Sequence, residues 1–395
     1  MDLLLAYACT LFVAVLISCR ARESVLSTSV LFLAVGLVLG KRPFGFHVPP
    51  QELLFRLADL ALFSVLYTSG MKTGGLQALR RSWRMPSRAL FAGMPLTIAG
   101  AALIAHWMLS LSWVGAILIG SALSPTDPIF ISGVFRVEAI PERVKHILNV
   151  ESGFNDGLAL PPLLITLALL TGNANRAVVS TVSDLALGLL IGIAIPWTGI
   201  RLERSRFFGA AGIFQRLNAF ALGLLAVAEA VHANIFFAAF AAGITTATFS
   251  EAVTKAFHDF GDQVTELLKL AVLLVFGARV APVLFAVAPA TVYIFAVLAV
   301  FAVRPVAIWL SLWRSGLPLR EKTMIGIFGP KGFASLVYAL MILHSGGAES
   351  HQIARTVGLA VTFSIVFFSS TDVFFGRWFG TNQKRPEHRK QPNAA

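Results

Sequence analysis

Apolar runs of helix-spanning length follow one another along the chain, parted by short polar links. A helix that crosses a bilayer needs roughly 20 mostly apolar residues. With that window the 395 residues divide into about 13 candidate spans: 3–19, 24–40, 52–71, 88–108, 112–135, 143–170, 177–200, 214–231, 234–250, 263–281, 285–313, 322–344 and 353–376. His232-Ala233-Asn234 is a very short link between the eighth and ninth. The pattern predicts an all-α polytopic membrane protein, a single transmembrane unit over 1–395 with a short polar tail at 380–395.

Two spans are interrupted. The fifth carries Ser124-Pro125-Thr126-Asp127-Pro128, and the twelfth carries Gly329-Pro330-Lys331-Gly332. With the seventh span (177–200) as a linker, spans one to six and eight to thirteen form two halves, and the breaks fall at matching places in them. Paired broken helices point to inverted repeats with a site between the breaks. Backbone left unpaired there is tolerated where it lines a cavity or is buried in protein. Ordinary proline kinks would account for the breaks but not for a charge at each, Asp127 and Lys331, placed to offset the partial charges of the half-helix ends.

Composition agrees with the span pattern: 56% of residues are hydrophobic and 13% charged, against about 25% charged in ordinary soluble domains. The net charge of +12 sits in short loops, so it is explained by membrane topology and not by a nucleic-acid partner. With the N-terminus outside, the inner loops collect most of the 32 Lys and Arg. Among these are Lys72, Arg80, Arg81, Arg84 and Arg88, and then Arg201, Arg204, Arg206 and Arg216. The outer loops have few, such as Lys41, Arg42 and Arg56. The expected topology is therefore N-terminus outside and C-terminus cytoplasmic, in a cell (inner) membrane. The start of the chain lacks the basic region of a signal peptide and reads as the first span itself. Cys9 and Cys19 lie ten residues apart on that one helix and cannot bridge.

Ionisable groups inside membrane spans are costly and mark ion or proton pathways. The sixth span carries Glu151-Ser152-Gly153-Phe154-Asn155-Asp156. Ser152 and Asp156 are four apart and share one helix face; Glu151 and Asn155 share another, about 100° round. With Asp127 and backbone carbonyls such as that of Thr126, these groups make an oxygen cage suited to Na⁺, Li⁺ or K⁺. Arg304, in the eleventh span, cannot lose its proton and needs a partner. Glu151 with Asn155 is the best candidate if Asp127 and Asp156 serve the ion. Asp259, Asp262 and Glu266 read as a solvated start of the tenth span.

Thr126-Asp127-Pro128, Glu151-Ser152 with Asn155-Asp156, Arg304-Pro305 and Gly329-Pro330-Lys331-Gly332 together resemble the monovalent cation:proton antiporters. The likeness is to the electroneutral NhaP-like branch, marked by Asn-Asp where the electrogenic branch has Asp-Asp. It implies an NhaA-like fold of 13 helices in a homodimer. A mobile core of about 88–170 and 285–376 would move against a scaffold of about 1–75 and 214–282. It further implies that Asp156 carries the cation and the proton, and that Thr126, Asp127, Ser152 and Glu151 surround the ion. Arg304 would pair with Glu151. Members often have Arg where this chain has Lys331, and Lys can lose a proton when desolvated.

The expected function is exchange of Na⁺, or Li⁺ or K⁺, for H⁺, with no cofactor beyond the transported ions, serving pH homeostasis. A K⁺/H⁺ antiporter is one alternative. A Na⁺-coupled symporter of an organic anion is another, and would need a basic pocket; no buried Arg beyond Arg304 offers one. An enzyme is not expected, since the eight histidines lie mostly in loops.

Overall fold

The computed structural model describes residues 3–21, 28–40, 50–75, 83–127, 140–172, 174–204, 213–282 and 288–381. All regular structure among them is helical: α1 Leu3–Ala21, α2 Thr28–Leu39, α3 Gln51–Lys72, α4 Arg84–Leu109, α5 Trp113–Ala122 and α6 Glu142–Thr171. Then follow α7 Ala174–Arg204, α8 Ile213–Ala230, α9 Ile235–Phe249, α10 Glu251–Arg279 and α11 Ala290–Ser311. The twelfth span is divided into α12a Leu319–Ile327 and α12b Phe333–Ser345, and α13 is Ser350–Thr381.

Six described helices, α3, α4, α6, α7, α11 and α13, hold stretches long and apolar enough to cross a membrane. Helices α5 and α12b are shorter because their spans are broken, and α9 is compact. Asn234 makes that compactness possible: its side chain accepts from the Phe237 N–H at 2.9 Å and starts α9 directly after the link.

The two halves are related by an inverted repeat, visible in three separate features. Contacts of α2 with α10 and of α3 with α9 are the most extensive between the halves. Matching α2 to α9 and α3 to α10 exchanges these two pairs. Each crossing is made by facing glycines: a Cβ on Gly36 or Gly277 would lie 2.3 or 2.6 Å from a backbone oxygen of the partner helix, and one on Gly70 or Gly243 would lie 2.5 or 2.2 Å away. Close backbone approach through small residues is how membrane helices gain packing energy. Second, α4 and α11 each hold a π-turn, Ala89–Gly93 and Ala299–Val303, directly before Met94-Pro95 and Arg304-Pro305. Proline lacks the N–H that an unbroken α-helix uses there, and a π-turn absorbs the mismatch. Third, the breaks of the fifth and twelfth spans dock on each other.

One break falls where it is expected and one boundary moves. In the fifth span α5 ends at Ala122, just ahead of Pro125, and residues 128–135 of that span lie outside the described residues. Pro125 disfavours a helical Ser124 and has no N–H to continue the ladder; Pro128 lies outside the described residues. Helix α10 begins at Glu251, capped by the Ser250 hydroxyl, rather than near 263. Asp262 and Glu266 are therefore in mid-helix, not in a solvated first turn; the Asp259 side chain lies outside the described residues.

Candidate ion site at the crossing of two broken helices

Beyond Leu123 the chain runs without i to i−4 helical pairing through Thr126 and Asp127, and the twelfth span opens likewise between Phe328 and Phe333. The Asp127 N–H donates to the Pro330 carbonyl at 3.0 Å. Gly332 lies against Asp127, and a Cβ there would fall 2.2 Å from the aspartate Cβ. The Lys331 N–H donates to Ser364 Oγ on α13 at 2.7 Å. Each break thus satisfies backbone groups of the other or finds a side chain, as a nonpolar surround demands.

Helix α6 supplies further partners. Ser152 Oγ donates to the Thr126 carbonyl at 2.5 Å, and Asn155 Nδ2 donates to Thr126 Oγ1 at 2.7 Å. The Thr126 N–H reaches Asn155 Oδ1 at 3.4 Å. One turn on, Asp156 is 6% exposed. Its carboxylate accepts from Ser69 Oγ on α3 at 3.0 Å, and its backbone carbonyl accepts from the Tyr338 hydroxyl of α12b at 2.7 Å.

A cavity of about 270 Å³ opens on this carboxylate. Asp127, Ser152 and Asp156 line it from the broken span and α6; Ser69 and Lys72 line it from α3; Asp262, Thr265, Glu266 and Lys269 line it from α10. Lys72 pairs with Asp262 at 3.2 Å, and Lys269 Nζ lies 3.3 Å from Asp127 Oδ2.

Arg304 is placed away from this space. Its Nη2 lies 2.8 Å from Glu151 Oε1, with the two side chains 3% and 6% exposed. Its Nη1 donates to the carbonyls of Ile325 and Gly326, at 2.7 and 2.6 Å, at the end of α12a. Gly329 packs on the guanidinium so closely that a Cβ would lie 1.9 Å from Cζ. Lys331 is buried beside this pair, and its Nζ has no hydrogen-bond partner among the described residues.

The eight residues singled out from sequence thus separate into two clusters. Asp127, Ser152 and Asp156 meet at the cavity. Thr126 stands behind its wall with both its hydroxyl and its carbonyl turned to α6. Glu151 is not among the cavity's lining residues; it faces Arg304, so the two roles foreseen for it, ion ligand and ion-pair partner, are not combined. Asn155 bonds Thr126 rather than Arg304, because the broken backbone presents unpaired groups nearer to it. Sequence reading passed over Ser69, Tyr338 and, above all, Lys269. A signal for Lys269 was present: Asp262, Thr265, Glu266 and Lys269 recur at the spacing of one helix face.

The transmembrane sodium/hydrogen exchanger family model matches residues 8–376. The chain belongs to that family. Among curated relatives, the K(+)/H(+) antiporter NhaP2 of Shewanella sp. (strain MR-4) is 25% identical over 345 residues, which are 85% of this chain and 59% of that protein. The K(+)/H(+) antiporter NhaP of Alkalimonas amylolytica is 26% identical over 377 residues, 93% of this chain and 64% of that protein. The chain thus spans about three fifths of the length of these relatives. In fold, the chain matches the structure of the sodium proton antiporter MjNhaP1 from Methanocaldococcus jannaschii at pH 8. The TM-score is 0.74 at 19% identity, over 96% of this chain and 98% of that one.

Proposed function

We propose that this exchanger moves a monovalent cation, Na⁺, Li⁺ or K⁺, against a proton by alternating access, with Asp156 as the shared carrier. The observation that carries the reading is the Asp156 carboxylate, buried in the bundle yet open to a polar cavity at the crossing of two broken helices. A buried carboxylate in such a place holds either a proton or a cation, since leaving it charged and bare is costly. Ser152 and Asp127 stand beside it as oxygen ligands suited to a hard cation. Thr126 and Glu151 brace the site from behind: Thr126 by tying the break to α6, Glu151 by anchoring α6 to Arg304.

The moving core comprises about 88–170 and 285–376, and the scaffold about 1–75 and 214–282. The cavity lies between α6 and the α5 break on one side and α3 with α10 on the other, which is where a core sliding on a scaffold would open and close a path. The chain works as a homodimer with its N-terminus outside and its C-terminus in the cytoplasm. One proton leaves for each cation bound, because Asn155 cannot carry a proton and Arg304 cannot release one.

Proteoliposomes that hold the full chain test this. Adding Na⁺, Li⁺ or K⁺ should release or take up protons, and Asp156→Asn should abolish that flux in a folded protein. Wild-type flux from Asp156→Asn would remove the assignment. Stoichiometry is tested by clamping the potential with K⁺ and valinomycin while Na⁺ or Li⁺ drives exchange. The potential acts on a moved charge at about 2.3 kcal/mol per 100 mV, so a rate or end point that follows it would reject electroneutral exchange. Lys331→Met would then show whether that buried amine carries the second proton.

The symporter reading gains one observation, since Lys72 and Lys269 do line the cavity. Both are already ion-paired, to Asp262 and Asp127. An organic anion would have to displace two carboxylates, and the cation reading needs no such exchange.

A further inference from the structure

Lys269 has no part in the exchange chemistry described above, yet it stands at its centre. It rises from α10 and reaches across to both broken spans. Its ammonium lies 3.3 Å from Asp127 Oδ2, with both side chains 10% exposed, and 5.9 Å from the ring centre of Phe333, the first residue of α12b. A lysine ammonium is a compact monovalent cation on a flexible stem. It therefore matches the transported ions in charge and in taste for carboxylate oxygen, and it stands at one of the two core carboxylates that face the cavity. The remaining charges around that space do not replace it: Lys72 is engaged with Asp262 at 3.2 Å, and Glu266, on the same face of α10, is itself an acid.

We propose that the Lys269 ammonium is a tethered competitor for the transported cation: it occupies Asp127 in this conformation and must yield when the ion binds, so that Lys269 sets the apparent cation affinity. This rests on the antiport reading of the same site. Two consequences follow from electrostatics. An arriving cation that takes Asp127 also dissolves an ion pair joining α10 to the α5 break, so occupancy of the site loosens the contact across which the core must slide. A neutral residue at 269 removes this competing ammonium from Asp127, so the ion is held more tightly and released more slowly.

The test uses the purified full chain in proteoliposomes and in detergent, with Lys269→Gln, Lys269→Met and Lys269→Arg. Flux gives KM and kcat for Na⁺, Li⁺ and K⁺. Melting curves against the same salts give binding without transport. Both neutral variants should lower KM by roughly tenfold, the size that coupling between close, partly buried charges reaches. Their kcat should fall as well, and the salt concentration that half-stabilises them should fall in parallel. Lys269→Arg, permanently charged, should keep KM at or above that of the wild type. A damaged fold would lower kcat while leaving KM unchanged or raised, so a joint fall separates competition from a merely structural role. If Gln does not fold, Met, which keeps the length of the stem, carries the measurement. Neutral variants with wild-type or raised KM and stabilisation midpoints would overturn the proposal, as would an equal fall in Lys269→Arg. Should the wild type show no cation-driven proton flux, the antiport reading fails, and the melting curves still decide whether Lys269 competes for a bound cation.

Discussion

Two buried ion pairs lie close together in this protein, and they are built for different tasks. Arg304–Glu151 joins α11 to α6, 2.8 Å apart, and the same guanidinium closes the end of α12a through two carbonyls. Three core elements thus meet on one planar group that cannot lose its charge. Lys269–Asp127 is longer, at 3.3 Å, more exposed, and joins α10 to the broken fifth span at a polar cavity. On the proposed division into core and scaffold, the first pair lies within the core and the second crosses the boundary between the two bodies. A fork of fixed donors suits the former and a single flexible ammonium the latter, so the choice of Arg in one place and Lys in the other follows from what each pair must do.

The sharpest way to break the comparison is to remove one cation at a time. Arg304→Ala strands Glu151 and two helix-end carbonyls in a dry environment, where losing one partner of a buried pair costs about 3–5 kcal/mol. The melting temperature of the detergent-solubilised protein should fall accordingly. Adding Glu151→Ala should restore part of the loss; additive losses would show that the pair is not coupled in solution. Gly329→Ala comes next, because its methyl group would collide with the guanidinium. Overpacking of this kind costs about 1–3 kcal/mol, and a melting temperature equal to that of the wild type would mean that the break is looser than its geometry.

Lys269→Gln should reduce stability less than Arg304→Ala, since Asp127 borders a cavity that water can enter. If it destabilises the protein as much as Arg304→Ala, the contrast drawn between the pairs is wrong. Smallest is Ser69→Ala, which removes one hydrogen bond from the Asp156 carboxylate. A bond to a charged group contributes on the order of 1.5–3 kcal/mol, but here proton and cation are both served by the same oxygens, so a modest change in KM with an intact fold is expected. Across all variants that keep Asp156, acidifying both sides should raise the apparent KM for the cation, because protons take the same carboxylate. A KM that is independent of pH would separate the proton from Asp156.

How much of the site could be read in advance differs between these two pairs. Arg304 is an isolated charge in an apolar run, and a group that cannot be neutralised must find an acid; Glu151 was within the reach of that reasoning because few acids lie in spans. Lys269 was obscured by Asp262 and Glu266 around it, which made its helix look like a solvated surface start. The error was one of boundary: α10 begins at Glu251, twelve residues earlier than the hydropathy edge, and its polar stripe is carried into the bundle.

Much was determined by the sequence alone: the span pattern, the two breaks, the inverted halves, and the presence of Asp127, Ser152 and Asp156 near one depth. These follow from local rules, since apolar length sets a crossing, proline ends a ladder, and a four-residue step fixes a helix face. Only the tertiary structure decided which polar group faces which. It turned Glu151 and Asn155 away from the cavity, set the Asp127 N–H on Pro330, brought Ser69 to Asp156, and carried Lys269 to Asp127 across 142 residues of sequence. Such pairings depend on how the two halves dock through Gly36 and Gly277 and through Gly70 and Gly243. In an apolar surround each polar group takes whatever partner that docking brings within reach, and no periodicity along a single helix records it.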